Sequence, residues 1–117
     1  DILEDRRFDD AIAVAGYPVD IHHAKGGDCT LYWCDDSYDI PYRCLLPERV
    51  EGLLVAGRCS SMNHEAMAST RVMSTCMALG EAAGRAARLA LKAGVQPAGL
   101  DVEALRAELR ATGAYLG

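Results

Sequence analysis

Residues 53–93 read LLVAGRCSSMNHEAMASTRVMSTCMALGEAAGRAARLALKA, and the reading of this stretch decides the fold. Leu53-Leu54-Val55-Ala56 is an uninterrupted apolar run, too short for a helix and bounded by Gly52 and Gly57, which predicts a strand over 53–56 buried on both faces. After a polar linker with Ser60, Ser61 and Asn63, a segment of helix formers predicts one long helix from about 70 to 93, capped by Ser69, Thr70 or Ser74 and stopped by Gly94. Its second half is mostly Ala and Gly. Gly80 and Gly84, four residues apart, share a face and each costs roughly 0.5–1 kcal/mol relative to Ala, so that face calls for close packing against a sheet or contact with a flat ligand. A buried strand feeding a helix is one arm of an α/β layer.

Outward from this arm, residues 1–15 carry apolar positions among charges and predict a solvated, partly helical segment. Val19, Ile21 and His23 alternate with Asp20 and His22, Lys25-Gly26-Gly27-Asp28 is a turn signal, and Thr30 to Trp33 favour β structure, which together predict a hairpin over 17–33. His22 and His23 point to opposite faces of such a strand, so they cannot both serve one site, and His22 remains a minor candidate. Asp35, Asp36 and Asp39 lack the glycine and distal Glu of an EF-hand and read as a solvated acidic loop. Pro41 extends the chain before Tyr42 and Arg43. Toward the other end, Asp101 is the N-cap of a helix over about 102–111 with Val102, Leu105 and Leu109 on one face.

Composition excludes several classes. A formal net charge of −5 with twelve scattered Lys and Arg excludes a phosphate-tracking nucleic-acid surface. No apolar stretch reaches the length of a membrane span, and the cytoplasm is the default location. The five cysteines form no Cys-x-x-Cys pair, so no metal site is expected, and reduced thiols are the better reading, with Cys44 and Cys76 as core fillers.

The stretch Ile40-Pro41-Tyr42-Arg43, the run Leu54-Val55-Ala56-Gly57-Arg58, His64, Arg71-Val72-Met73, Thr75-Cys76 and Gly80-x-Ala82-Ala83-Gly84 resemble, in order and spacing, the C-terminal flavin-binding end of a family of FAD-dependent oxidoreductases. That family is distantly similar to the succinate dehydrogenase and fumarate reductase flavoproteins. The likeness implies an α+β fragment: the C-terminal part of an FAD-binding, Rossmann-like flavoprotein fold over residues 48–117, preceded over 1–47 by the end of a substrate-facing region that contains the hairpin. The Gly-x-Gly-x-x-Gly turn that would hold the FAD pyrophosphate does not occur, so the chain is expected to be inactive alone and not to bind FAD stoichiometrically.

The resemblance further implies FAD as cofactor and hydride or electron exchange with a small organic substrate. It places Gly57 and Arg58 beside the ribityl and phosphate part, Arg43 near the isoalloxazine, and Arg71, Val72, Met73, Ser74 and Thr75 at a helix opening that stabilises the reduced ring. Relatives of the broader fold carry an acid where Arg58 stands, which turns the expected contact from a ribityl hydroxyl toward a phosphate. His64 and Arg71 are the candidates for holding an anionic substrate or moving a proton. The alternative is a non-enzymatic interaction domain that forms a homo-oligomer through its apolar strand and terminal helix.

Overall fold

The computed structural model describes residues 2–4, 6–23, 26–34 and 36–117; Lys25 of the expected turn and Asp35 of the acidic loop lie outside them. Among the described residues, four short strands, β1 (Ala11–Ala15), β2 (Val19–His22), β3 (Cys29–Tyr32) and β4 (Tyr38–Pro41), precede three α-helices, α1 (His64–Thr70), α2 (Met73–Ala93) and α3 (Val102–Ala111). The strands form two nested antiparallel ribbons. The inner one is the hairpin β2–β3, with Val19 opposite Tyr32 and His22 opposite Cys29. The outer one pairs β1 with β4, Ala15 opposite Tyr38 and Ala11 opposite Pro41, with an irregularity between Ala11 and Ala13.

Among the described residues of this first stretch, the helical structure is a single 3-10 turn, Ile2–Glu4, and the expected helical segment gives way to β1. Ala-Ile-Ala-Val-Ala has helix-forming residues, but five residues make too short a helix to be stable alone, and the run buries four of its five side chains between β4, α2 and α3. Tertiary burial wins over local propensity there.

The core lies between the outer ribbon and the helices: Ile12, Tyr38, Ile40, Leu45, Leu79, Leu105 and Leu109 are all buried. From α2, Thr75, Leu79, Ala82, Ala86 and Ala90 point inward at helical spacing, and the alanines allow the helix to sit close to β1. Gly80 and Gly84 are not part of this packing. Both are exposed, and a Cβ on either would meet nothing within 4 Å, so these two glycines share an outward face with Met73, Met77 and Leu91.

Two expected elements of the central stretch take another form. The run 53–56 is not a strand: Val55 N donates to Leu45 O at 2.9 Å, the Ala56 carbonyl accepts from Cys59 N at 3.4 Å in the following 3-10 turn, and Leu53 is exposed. A strand needs a neighbour for its ladder, and none lies beside this run among the described residues. The long helix is divided at Arg71 and Val72. Asn63 caps α1 by accepting from Ala66 N at 2.8 Å, and Val72 at ψ 153° interrupts the helical path before α2 begins. Thr70 turns its hydroxyl back to the Ala66 carbonyl at 3.0 Å and Ser69 bonds elsewhere, so neither caps α2. Ser74 does not cap it either; α2 starts at Val72 with no side-chain cap bond. At its other end Gly94 closes α2 in the left-handed region, φ 68°. No helix among the described residues is long and apolar enough to cross a membrane.

Candidate functional site

The break between α1 and α2 is the point where the chemistry gathers. Gly57 opens a 3-10 turn, Gly57–Cys59, at φ 62°, a conformation that favours glycine. The turn lies against the first turn of α2, since a Cβ on Gly57 would sit 3.5 Å from Cys76 Cβ and 3.6 Å from its Sγ. That contact brings Arg58 to the helix junction, where its Nε donates to the Arg71 carbonyl at 3.1 Å. Arg71 in turn donates from Nη2 to the Asp20 carbonyl on β2 at 3.2 Å and lies 3.7 Å from Asp20 Oδ2. His22 Nε2 meets the same carboxylate oxygen at 3.0 Å, while Asp20 Oδ1 is buried with no hydrogen-bond partner.

Tyr17, Asp20, Arg58, Arg71, Val72 and Met73 line the resulting cleft, of about 480 Å³. Two guanidinium groups and the uncapped start of a 21-residue helix face one carboxylate, so the cleft is electropositive on balance. Such an arrangement can hold an anionic group or the electron-rich edge of a ring.

The structure therefore assembles Arg58, Arg71, Val72 and Met73 in one cleft, with Gly57 as the turn that sets Arg58. Ser74 and Thr75 lie in the first turn of α2, the former exposed and the latter buried, outside the cleft lining. Arg43 is elsewhere: it bonds Asp10 at 2.6 Å, stacks 4.7 Å from the centre of the Phe8 ring, and lines a second, larger cleft of about 810 Å³. His64, the first residue of α1, is exposed and lines neither cleft, so of the two alternative candidates, His64 and Arg71, only Arg71 lines a cleft.

Tyr17 and Asp20 were not among the expected site residues. The alternation in Val19-Asp20-Ile21-His22 contains the signal, because it sets Asp20 and His22 on the face opposite Val19 and Ile21. Behind the cleft, Ser69 is fully buried and joins the hairpin to the core: its hydroxyl donates to the Tyr17 carbonyl and takes the Tyr38 hydroxyl as its second partner. All five cysteines are free, and no group of three or more His, Cys, Asp or Glu side chains among the described residues is arranged to hold a metal ion.

No curated protein and no solved structure matches the chain. A protein-family model, described as FAD dependent oxidoreductase, does match, over residues 1–109. With that match covering nearly all of its length, the chain belongs to the FAD dependent oxidoreductase family, whose cofactor is FAD.

Proposed function

We propose that the chain contributes the opening of α2 to the flavin site of an oxidoreductase that moves hydride or electrons between a small organic substrate and FAD. The observation that carries this reading is that α2 starts without a side-chain cap at a cleft lined by Arg58, Arg71, Val72 and Met73. These residues fit a flavin: the unsatisfied N–H groups of the first turn and the two guanidiniums supply the donors and positive potential that the N1 and C2-oxygen edge of a reduced ring needs. FAD, when bound, supplies the hydride-accepting N5 centre.

The protein's own part is positional and electrostatic. Gly57 lets the backbone approach closely, Arg58 reaches the phosphate or ribityl side, and Arg71 is held by the hairpin so that its charge stays at the helix opening. On this reading residues 48–117 are the C-terminal part of a Rossmann-like FAD-binding domain, and residues 1–47 are the end of the layer that faces substrate. The more distant kinship with succinate dehydrogenase and fumarate reductase flavoproteins belongs to the same reading.

The test is a titration of the isotope-labelled 117-residue chain with FAD, followed by amide NMR. The expected outcome is weak binding, with a Kd no tighter than about 10 μM, because the pyrophosphate-holding turn is missing. Shifts should concentrate at Val72, Met73, Ser74 and Thr75 and in the Arg58 side chain. Saturable shifts that leave these residues untouched would overturn the proposed site.

A further inference from the structure

The larger cleft, of about 810 Å³, lies on the other side of β2 from Arg71, between the hairpin, β4, α1 and the first 3-10 turn. Its walls are mainly apolar, with Phe8, Val19, Ile21, Ile40, Met62 and Ala66 contributing. This size and lining match those of small-molecule pockets, which take their specificity from a few convergent polar groups.

Of the charged groups among its lining residues, all but one are already engaged. Arg43, the cleft's guanidinium, is engaged by Asp10 at 2.6 Å and by the Phe8 ring. Asp39 is engaged by Arg7 Nη1 at 3.0 Å and by the Phe8 N–H at 2.9 Å. Asn63 accepts from Ala66 N, and Thr70 donates to the Ala66 carbonyl. The Glu65 carboxylate, in the first turn of α1, has no partner among the described residues, whereas Glu4 on the rim is engaged. Burial pushes the Cys44 thiol up and the Tyr38 phenol up to about 12, so both wall groups stay neutral at neutral pH. The cleft thus has an apolar interior, its positive group already committed, and an uncommitted carboxylate at its edge.

We infer that this cleft binds a small apolar amine, with the hydrocarbon body between the hairpin and β4 and the ammonium at Glu65. The match is one of charge: an ammonium gains a charge-assisted hydrogen bond at Glu65, whereas a carboxylate of the same size meets the Glu65 charge and an occupied arginine. The overall charge of −5 acts in the same direction. This inference does not depend on the flavin reading, because it concerns a different cleft and different residues.

The probes are phenethylamine and 3-phenylpropionate, titrated into the 117-residue chain by calorimetry and amide NMR. Phenethylamine should bind about tenfold more tightly, with shifts at Ile21, Ala66 and Glu65. Glu65→Gln, at an exposed position, should remove that preference by weakening phenethylamine, with the acid bound no more weakly than before. Ala66→Leu, which fills part of the wall, should weaken both probes, and Glu65→Gln carries the test alone if Ala66→Leu does not fold. Equal affinity for the two probes, a preference for the acid, no saturable binding, or a preference that survives Glu65→Gln would each overturn the inference. None of these outcomes bears on FAD shifts at Val72 to Thr75, so the two readings fail separately.

Discussion

Replacing Ser69 by Ala tests the junction that holds the hairpin to the rest of the molecule. Ser69 is 0 % exposed and Tyr38 2 % exposed, so water cannot replace what either hydroxyl loses. In the Ser69→Ala protein the Tyr38 hydroxyl loses its Ser69 partner, and the Tyr17 carbonyl keeps the Cys34 thiol at 3.6 Å. A stranded buried hydroxyl costs about 1–3 kcal/mol, and the carbonyl's weaker partner adds a smaller amount, so the expected loss is about 2 kcal/mol. Tyr38→Phe removes the donor itself and leaves Ser69 bonded to Tyr17, which should cost about 1 kcal/mol. The double variant has no stranded hydroxyl, and its loss should fall short of the sum by about 1 kcal/mol. Urea unfolding of the four proteins, read by circular dichroism, gives the cycle. Additive losses, or a Ser69→Ala loss below that of Tyr38→Phe, would refute the chain of bonds from Tyr38 through Ser69 to Tyr17.

Two further outcomes follow from the same geometry. Burial raises the Tyr38 phenol from 10.0 to about 12, with the Ser69 hydroxyl pulling the other way. The folded state therefore holds this proton more tightly than the unfolded one, so its contribution to stability is complete below pH 10 and is lost as pH rises through about 12; urea midpoints across that window should fall more steeply for the natural chain than for Tyr38→Phe. Gly57→Ala should cost about 1 kcal/mol by urea unfolding, because alanine is unfavourable at φ 62° while its Cβ, 3.5 Å from Cys76 Cβ, makes an ordinary contact. A loss above about 3 kcal/mol would mean that Cys76 cannot accommodate the methyl group.

How much could be read from the sequence depended on how local each signal was. The Asp101 cap and the Val102, Leu105 and Leu109 spacing lie within one segment, and α3 runs over the span they mark, with Asp101 accepting from Glu103 N and Ala104 N. The alternation around Ile21 and the glycines after Lys25 are equally local, and β2 pairs with β3 across them. By contrast, β1 owes its form to β4, α2 and α3, all distant in sequence, and its alanines argue for helix until those partners are known. Leu53–Ala56 has a strand's composition, but no composition supplies the neighbour that a ladder requires. The break at Arg71 and Val72 was hidden for a related reason: Ser69, which could have capped a helix, is committed to Tyr17, 52 residues earlier. The same long-range bonds explain the site. Arg58, Arg71, Val72 and Met73 could be grouped from the central stretch, whereas Asp20 joins them only through the hairpin, and Arg43 departs because Asp10 and Phe8 capture it.

Arg106, on the inner side of α3, donates from Nη1 to the Ala11 carbonyl at 2.9 Å across 95 residues of chain. During synthesis, this tie cannot form until α3, some 95 residues after β1, has left the ribosome. Until then β1 is covered only by β4 and α2, so the last side of its burial is completed late.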